Sequence, residues 1–186
     1  MGGACSRNGG DGGDGGDGGD ATAPSTTVAT VPRADDPSFA VPASIDVAYV
    51  ERVLQVLDGV QGDVVRRIAD TGAFPSADRA PLRAVFLDPE LRAQTEGFSA
   101  LVSSIGRLRT PPGDNRTTVV RLLTARPDCI YAETTVDVSA TVSDPPPPFT
   151  SYVALRPSRP GDDPQDLNPT PYSIAAEHPE PRDPCG

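Results

Sequence analysis

Ile130-Tyr131-Ala132-Glu133-Thr134-Thr135-Val136-Asp137-Val138-Ser139-Ala140-Thr141-Val142 is the stretch that decides the fold. Ile130, Ala132, Thr134, Val136, Val138, Ala140 and Val142 alternate with Tyr131, Glu133, Thr135, Asp137, Ser139 and Thr141. Side chains of a strand point alternately to its two faces, so this spacing predicts one long strand with an apolar face and a wet face. Such a strand belongs to a half-buried antiparallel sheet.

The same reading extends outward on both sides. Thr117–Ala125 is β-branched and apolar and meets the long strand through a short turn at Arg126-Pro127-Asp128. Asp144 and the run Pro145–Pro148 make a stiff exit. Ser151–Arg156 and Tyr172–Glu177 supply two further strands across the polar loop 157–171.

Upstream of residue 110 the period becomes helical. Val50, Val53, Leu54, Leu57, Val60, Val64 and Ile68 form one apolar stripe, predicting a helix from about 44–46 to 69 that stops at Thr71-Gly72. Gly59 and Gly62 lower its propensity and mark where it can kink. A short helix after Ser76 or Asp78 carries Leu82, Val85, Phe86 and Leu87, with Pro81 in its first turn. Asp88-Pro89-Glu90 then reads as a helix start, with an acid at the cap, proline at the first position and an acid behind it. That third helix presents Leu91, Phe98, Leu101, Val102 and Ile105, and closes at Gly106. Thr110-Pro-Pro-Gly-Asp-Asn115 breaks the pattern. Helices followed by strands predict an α+β domain, with three N-terminal helices packed on one face of a four-stranded antiparallel curved sheet.

The folded part spans 43–177, about 135 residues, enough for one core. Residues 1–42 carry almost no large apolar side chain. Asp11, Asp14, Asp17 and Asp20 alternate with glycine pairs, and Ala21–Pro42 is rich in Thr, Ala and Pro. Flexible glycine and mutually repelling carboxylates predict an extended, solvated tether. Residues 178–186 read as a polar, proline-broken tail.

The chain has 26 acids against 16 bases, all of them Arg, for a net charge of −10. That balance argues against nucleic acid as a partner and against electrostatic adhesion to an anionic membrane. No apolar run approaches the ~20 residues of a membrane span.

Three readings fit Cys5. Gly3-Ala4-Cys5-Ser6 resembles the small-small-Cys end of a bacterial lipobox, with the polar stretch behind it as tether; this makes Cys5 a lipid anchor. Met1-Gly2 with Ser6 also fits a myristoylation pattern with Cys5 as palmitate acceptor. The third reading is an unmodified start. Cys129 and Cys185 are two buried thiols in a reducing compartment, or one disulfide in an oxidising one. The disulfide reading and a lipidated Cys5 support each other.

Candidate chemistry is sparse. The only histidine, His178, falls in the tail. No nucleophile elbow or phosphate-binding glycine loop occurs, and no Cys or His lies at metal-ligand spacing, so neither cofactor nor metal is expected. Glu133 and Asp137 share a strand face and could act as an acid pair; more simply, they mark its wet side. Asn115-Arg116-Thr117 is a glycosylation acceptor only in a eukaryotic secretory protein.

Arg116-Thr117-Thr118-Val119, Pro127-x-Cys129-Ile130, Pro145–Pro148 with Tyr152-Val153-Ala154-Leu155, and Leu167-Asn168-Pro169-Thr170-Pro171 together resemble a family of uncharacterised actinobacterial secreted lipoproteins. The resemblance covers about 44–177. It implies an extracytoplasmic, membrane-anchored location and a cone-shaped domain similar to the nuclear-transport-factor-2-like folds, in which a curved sheet wraps around helices. The expected function is a non-enzymatic envelope lipoprotein. It would touch the membrane through its lipid anchor only and bind an apolar small molecule or an envelope protein. A pocket would be lined by Leu54, Leu57, Ile130 and Val136. The alternative is a cone-fold enzyme using Asp or Glu with Tyr131, and, without a signal segment, a cytoplasmic location.

Overall fold

The computed structural model describes residues 37–158, 161, 163, 165–182 and 184–186. After a 3-10 turn at Pro37–Phe39 come helix α1 (Val47–Thr71), a second 3-10 turn (Ser76–Asp78), α2 (Arg79–Val85), α3 (Glu90–Leu101) and a 3-10 segment (Val102–Arg107). Strands β1 (Arg116–Arg126), β2 (Cys129–Asp137), β3 (Phe149–Pro157) and β4 (Tyr172–His178) follow. They pair antiparallel in the order β1-β2-β3-β4. The domain is therefore α+β, with its helices ahead of the strands.

Helix α1 is defined at both ends. The Asp46 carboxylate accepts the Tyr49 N–H at 2.8 Å, and Gly72 takes the left-handed conformation (φ 69°) while its N–H bonds the Ile68 carbonyl. Glycine adopts that conformation without the steric penalty other residues carry. Replacing Asp46 with Ala leaves a first-turn amide without its acceptor and should cost about 1 kcal/mol. A urea midpoint that does not move would show that the cap is not stabilising. The helix runs without interruption through Gly59 and Gly62. Gly62 is buried where a Cβ would collide with the Asp114 side chain, and Arg66 one turn on pairs with both Asp114 and Asp63. The glycine there makes room for the loop ahead of β1 rather than bending the helix.

Two expectations need correction. The third helix begins at Glu90 with Pro89 at the capping position, and neither Pro89 nor Asp88 caps it through a side chain. The Leu87 carbonyl already accepts the Leu91 N–H at 2.9 Å, which places Asp88 inside the entry turn. Strand β2 also stops at Asp137 instead of running to Val142. The Asp137 carboxylate accepts the Ser139 N–H at 2.8 Å, and the Thr141 and Val142 amides both turn back onto the Val138 carbonyl. An Asx turn of this kind competes with ladder bonding and ends the strand. Val142 is left with an isolated bridge to Leu108.

One face of the sheet is the core. Ile130, Ala132, Val153, Leu155, Tyr172 and Ile174 pack against the stripe of α1 and against Leu82, Val85 and Phe86 of α2 and its exit. Bulges curve the sheet, since each adds a residue to one strand only. Two fall in β1, at Val120 and Leu123, and one in β4, at Ala175. The two β1 bulge residues are 54% and 39% exposed, which accounts for two of the five large apolar side chains on the described surface.

Both outer strands are partly engaged along their free edges. Asp58 and Glu51 of α1 accept the Thr117 and Val119 amides of β1 at 3.0 and 3.4 Å. At the other edge Glu90 accepts the Glu177 amide at 3.3 Å, and Leu87 donates to the Ile174 carbonyl at 2.9 Å. The loop before β4 is held from inside: the buried Asn168 amide donates to the Ala84 and Tyr172 carbonyls, both at 2.8 Å, while its oxygen accepts from Thr170.

The opposite face was expected to be wet along its length. It is so only toward Glu133 and Asp137. At its other end Cys129, Tyr131, Ala154 and Cys185 form a second buried cluster, flanked by Tyr152 and Ala176. The chain beyond β4 returns over this face as an arm, closed by a Cys129–Cys185 disulfide with a Cα–Cα distance of 5.8 Å. Arg126 and Arg156 donate to the Cys185 and Pro184 carbonyls, and the Tyr131 hydroxyl accepts the Arg182 amide, each at 2.7 Å.

Candidate functional site

Cys5 and the tether up to residue 36 lie outside the described residues. Leu54, Leu57 and Ile130 meet in the packed core, all at most 2% exposed, and Val136 is buried farther along β2. None of the four lines either of the two larger clefts described below. Tyr131 is 5% exposed beneath the arm, on the face away from the core. Glu133 is bonded to Arg121 of β1 at 2.7 Å, and Asp137 is engaged in its turn. The acid pair and Tyr131 thus have separate partners, and none of the three lines either of the two larger clefts. His178, placed in the tail by sequence, closes β4 opposite Tyr152.

Two groupings had no signature in the sequence. The first is a set of carboxyls on the helix-covered side of the sheet. Strict alternation from Tyr172 would turn Glu177 to the outer face. The bulge at Ala175 reverses this, pairing Glu177 with the core-facing Val153. There Ser151 donates to Glu177 at 3.2 Å, and Gln94 of α3 bridges it to Glu90 at 3.5 and 2.9 Å. Burial and then the neighbouring Glu90 carboxylate raise the Glu177 carboxyl above its usual range, against the Ser151 bond. Asp58 is pushed up to about 7, chiefly by burial and further by Glu177 and Asp114, although hydrogen bonds from Thr117 oppose the shift. Asp58 thus holds and releases its proton near neutrality; no group of three or more potential ligands that could hold a metal ion occurs among the described residues.

The second grouping is a cleft of about 870 Å³ between α2, the start of α3, the bulged part of β4 and the arm. Its size falls within the range of small-molecule sites. Leu87, Leu91, Ala175 and Ala176 provide an apolar lining, Pro184 of the arm forms one wall, and Arg79, Arg83, Arg92 and Arg156 stand around it with Asp88 and Glu96. Arg79 and Arg83 are four residues apart on one helix and so share a face. A shallower cleft of about 490 Å³ lies between α1, α3 and the turn after β2, lined by Val65, Phe98, Leu101 and Val142 among others.

Comparison with protein-family models, with curated proteins and with solved structures returns no match.

Proposed function

We propose that the protein is a non-enzymatic binding module of the cell envelope, carried on a Gly/Asp-rich tether from a lipidated Cys5. The observation that carries this reading is the arm: a Cys129–Cys185 disulfide fixes the C-terminal segment as a wall of a ligand-sized cleft. Structural disulfides persist in oxidising compartments and are rare where thiols are kept reduced. The cleft is lined chiefly by arginines and apolar side chains, a composition suited to binding, with Asp88, Thr95 and Glu96 as its other polar groups. The Gly/Asp-rich leader suits a spacer, and the small-small-Cys sequence ending at Cys5 suits an anchor. Among the described residues no helix is long and apolar enough to cross a membrane, so attachment in this reading rests on the lipid.

Detergent-phase partitioning of the protein from its own cells, followed by mass spectrometry of the N-terminal peptide, tests the reading. The expected result is a detergent-phase protein with a diacylglyceryl mass on Cys5 and no alkylatable thiol at Cys129 or Cys185. Unmodified Cys5, with both other cysteines reduced in the aqueous phase, would return the protein to the cytoplasm.

A further inference from the structure

We infer that the arginine-rimmed cleft binds an amphipathic anion, a molecule with one carboxylate or phosphate head on an aliphatic body. In a chain of net charge −10, most cations would be expected to have found carboxylates. Among the described arginines Arg66, Arg67, Arg121 and Arg126 have done so, whereas Arg52, Arg107, Arg109, Arg116 and Arg182 form no ion pair either; what sets the cleft apart is that four arginines gather in it. The guanidinium groups of Arg79, Arg83 and Arg92 take no ion pair or hydrogen bond among the described residues, although all three side chains line the same cleft. Arg156 joins them from β3 with one of its nitrogens given to the Pro184 carbonyl. Among the described residues four arginines line the cleft with two carboxylates, Asp88 and Glu96, a local excess of positive charge on an acidic protein.

Guanidinium forks match the geometry of carboxylate and phosphate oxygens, and such charge-assisted bonds are stronger than neutral ones. A bare inorganic anion would use the rim alone. The lining made by Leu87, Leu91, Ala175 and Ala176 adds apolar surface that only a hydrocarbon body can bury. The arm completes the site, because Pro184 lies beside the disulfide that anchors it.

This inference rests on the binding-module reading but fails separately from it, since it concerns the cleft and not the anchor. The probes are octanoate, hexyl phosphate and inorganic phosphate, titrated into the isotope-labelled full chain and followed by NMR. Octanoate and hexyl phosphate should shift Leu87, Leu91 and Ala175, and the tighter of the two identifies the head group. Inorganic phosphate should bind about tenfold more weakly. Arg83→Gln with Arg92→Gln should weaken the alkyl anions by about tenfold or more, and Arg52→Gln, outside the cleft, should not. Absence of binding, shifts confined to the cleft around Phe98, or affinities untouched by the paired arginine substitution would each overturn the proposal. Equal affinity for inorganic phosphate would overturn the apolar part of it. The shift map on the unmutated chain decides the matter even if the variants fold poorly.

Discussion

Replacing Cys129 and Cys185 together by Ala is expected to lower the stability of the domain by about 4 kcal/mol. The bond closes a loop with a sequence separation of 56, and the chain-entropy cost of such a loop in the unfolded ensemble is about that size. Alanine is chosen because a serine hydroxyl at these buried positions would need a new partner. The loss has a visible counterpart. Freed from β2, the arm gives up the Arg182–Tyr131 contact and uncovers the second cluster. The chain has four tyrosines and no tryptophan, so its intrinsic fluorescence reports tyrosine environment directly. Denaturant unfolding followed by that signal should show a lower midpoint and a changed native baseline. A variant with unaltered midpoint would mean that the arm adds nothing to the folded state. Because Pro184 walls the arginine cleft, the same variant should also bind alkyl anions less tightly.

The second large effect concerns pH. Asp58 titrates at about 7 in the folded chain and near 3.8 when unfolded, so between these values the folded state holds the extra proton. Its stabilising contribution is complete below about pH 4 and is lost as pH rises toward 7. At about 1.4 kcal/mol per pH unit, the displacement corresponds to about 4 kcal/mol at most. Raised Glu177 acts in the same direction. The domain should therefore be more stable at pH 5 than at pH 8, the reverse of a protein held by paired carboxylates. Asp58→Asn keeps an acceptor for the Thr117 amide and removes the charge. It should stabilise the domain at pH 8 and flatten most of the slope, with Glu177 supplying the remainder. Stability that climbs from pH 5 to 7, or a slope indifferent to Asp58→Asn, would disprove this account.

Much of the architecture was legible in the residues. Alternation from Ile130 to Val136 and the stripe from Val50 to Ile68 reflect burial, and burial is what periodicity records. The errors arose where a local hydrogen bond outweighed the pattern. Asp137 takes the Ser139 amide and ends a strand whose apolar period continues to Val142. The Leu87 carbonyl takes the Leu91 amide and draws Asp88 into the turn that an N-cap should precede. The functional groupings were less accessible. Glu177 reaches the helix-covered side only because one residue of β4 is unpaired, and a bulge has no reliable composition. Arg79, Arg83, Arg92 and Arg156 come from two helices and a strand, so only the tertiary fold brings them to one cleft. The spacing of Arg79 and Arg83 was the one available clue, and alone it describes an ordinary solvated helix face. Cys129 and Cys185 were legible as a pair; that the bond would cover Tyr131 was not.

The treatment of the sheet margins limits how this protein can meet other molecules. Recognition by strand addition needs a row of free amides and carbonyls on a straight edge. On β1 the Thr117 and Val119 amides already belong to Asp58 and Glu51, and the remainder is broken by two bulges. On β4 the Glu177 amide and Ile174 carbonyl belong to Glu90 and Leu87. A second copy approaching either edge would find these groups already taken. Encounters are thus left to side chains, and their selectivity is open to change one residue at a time without disturbing the ladder beneath.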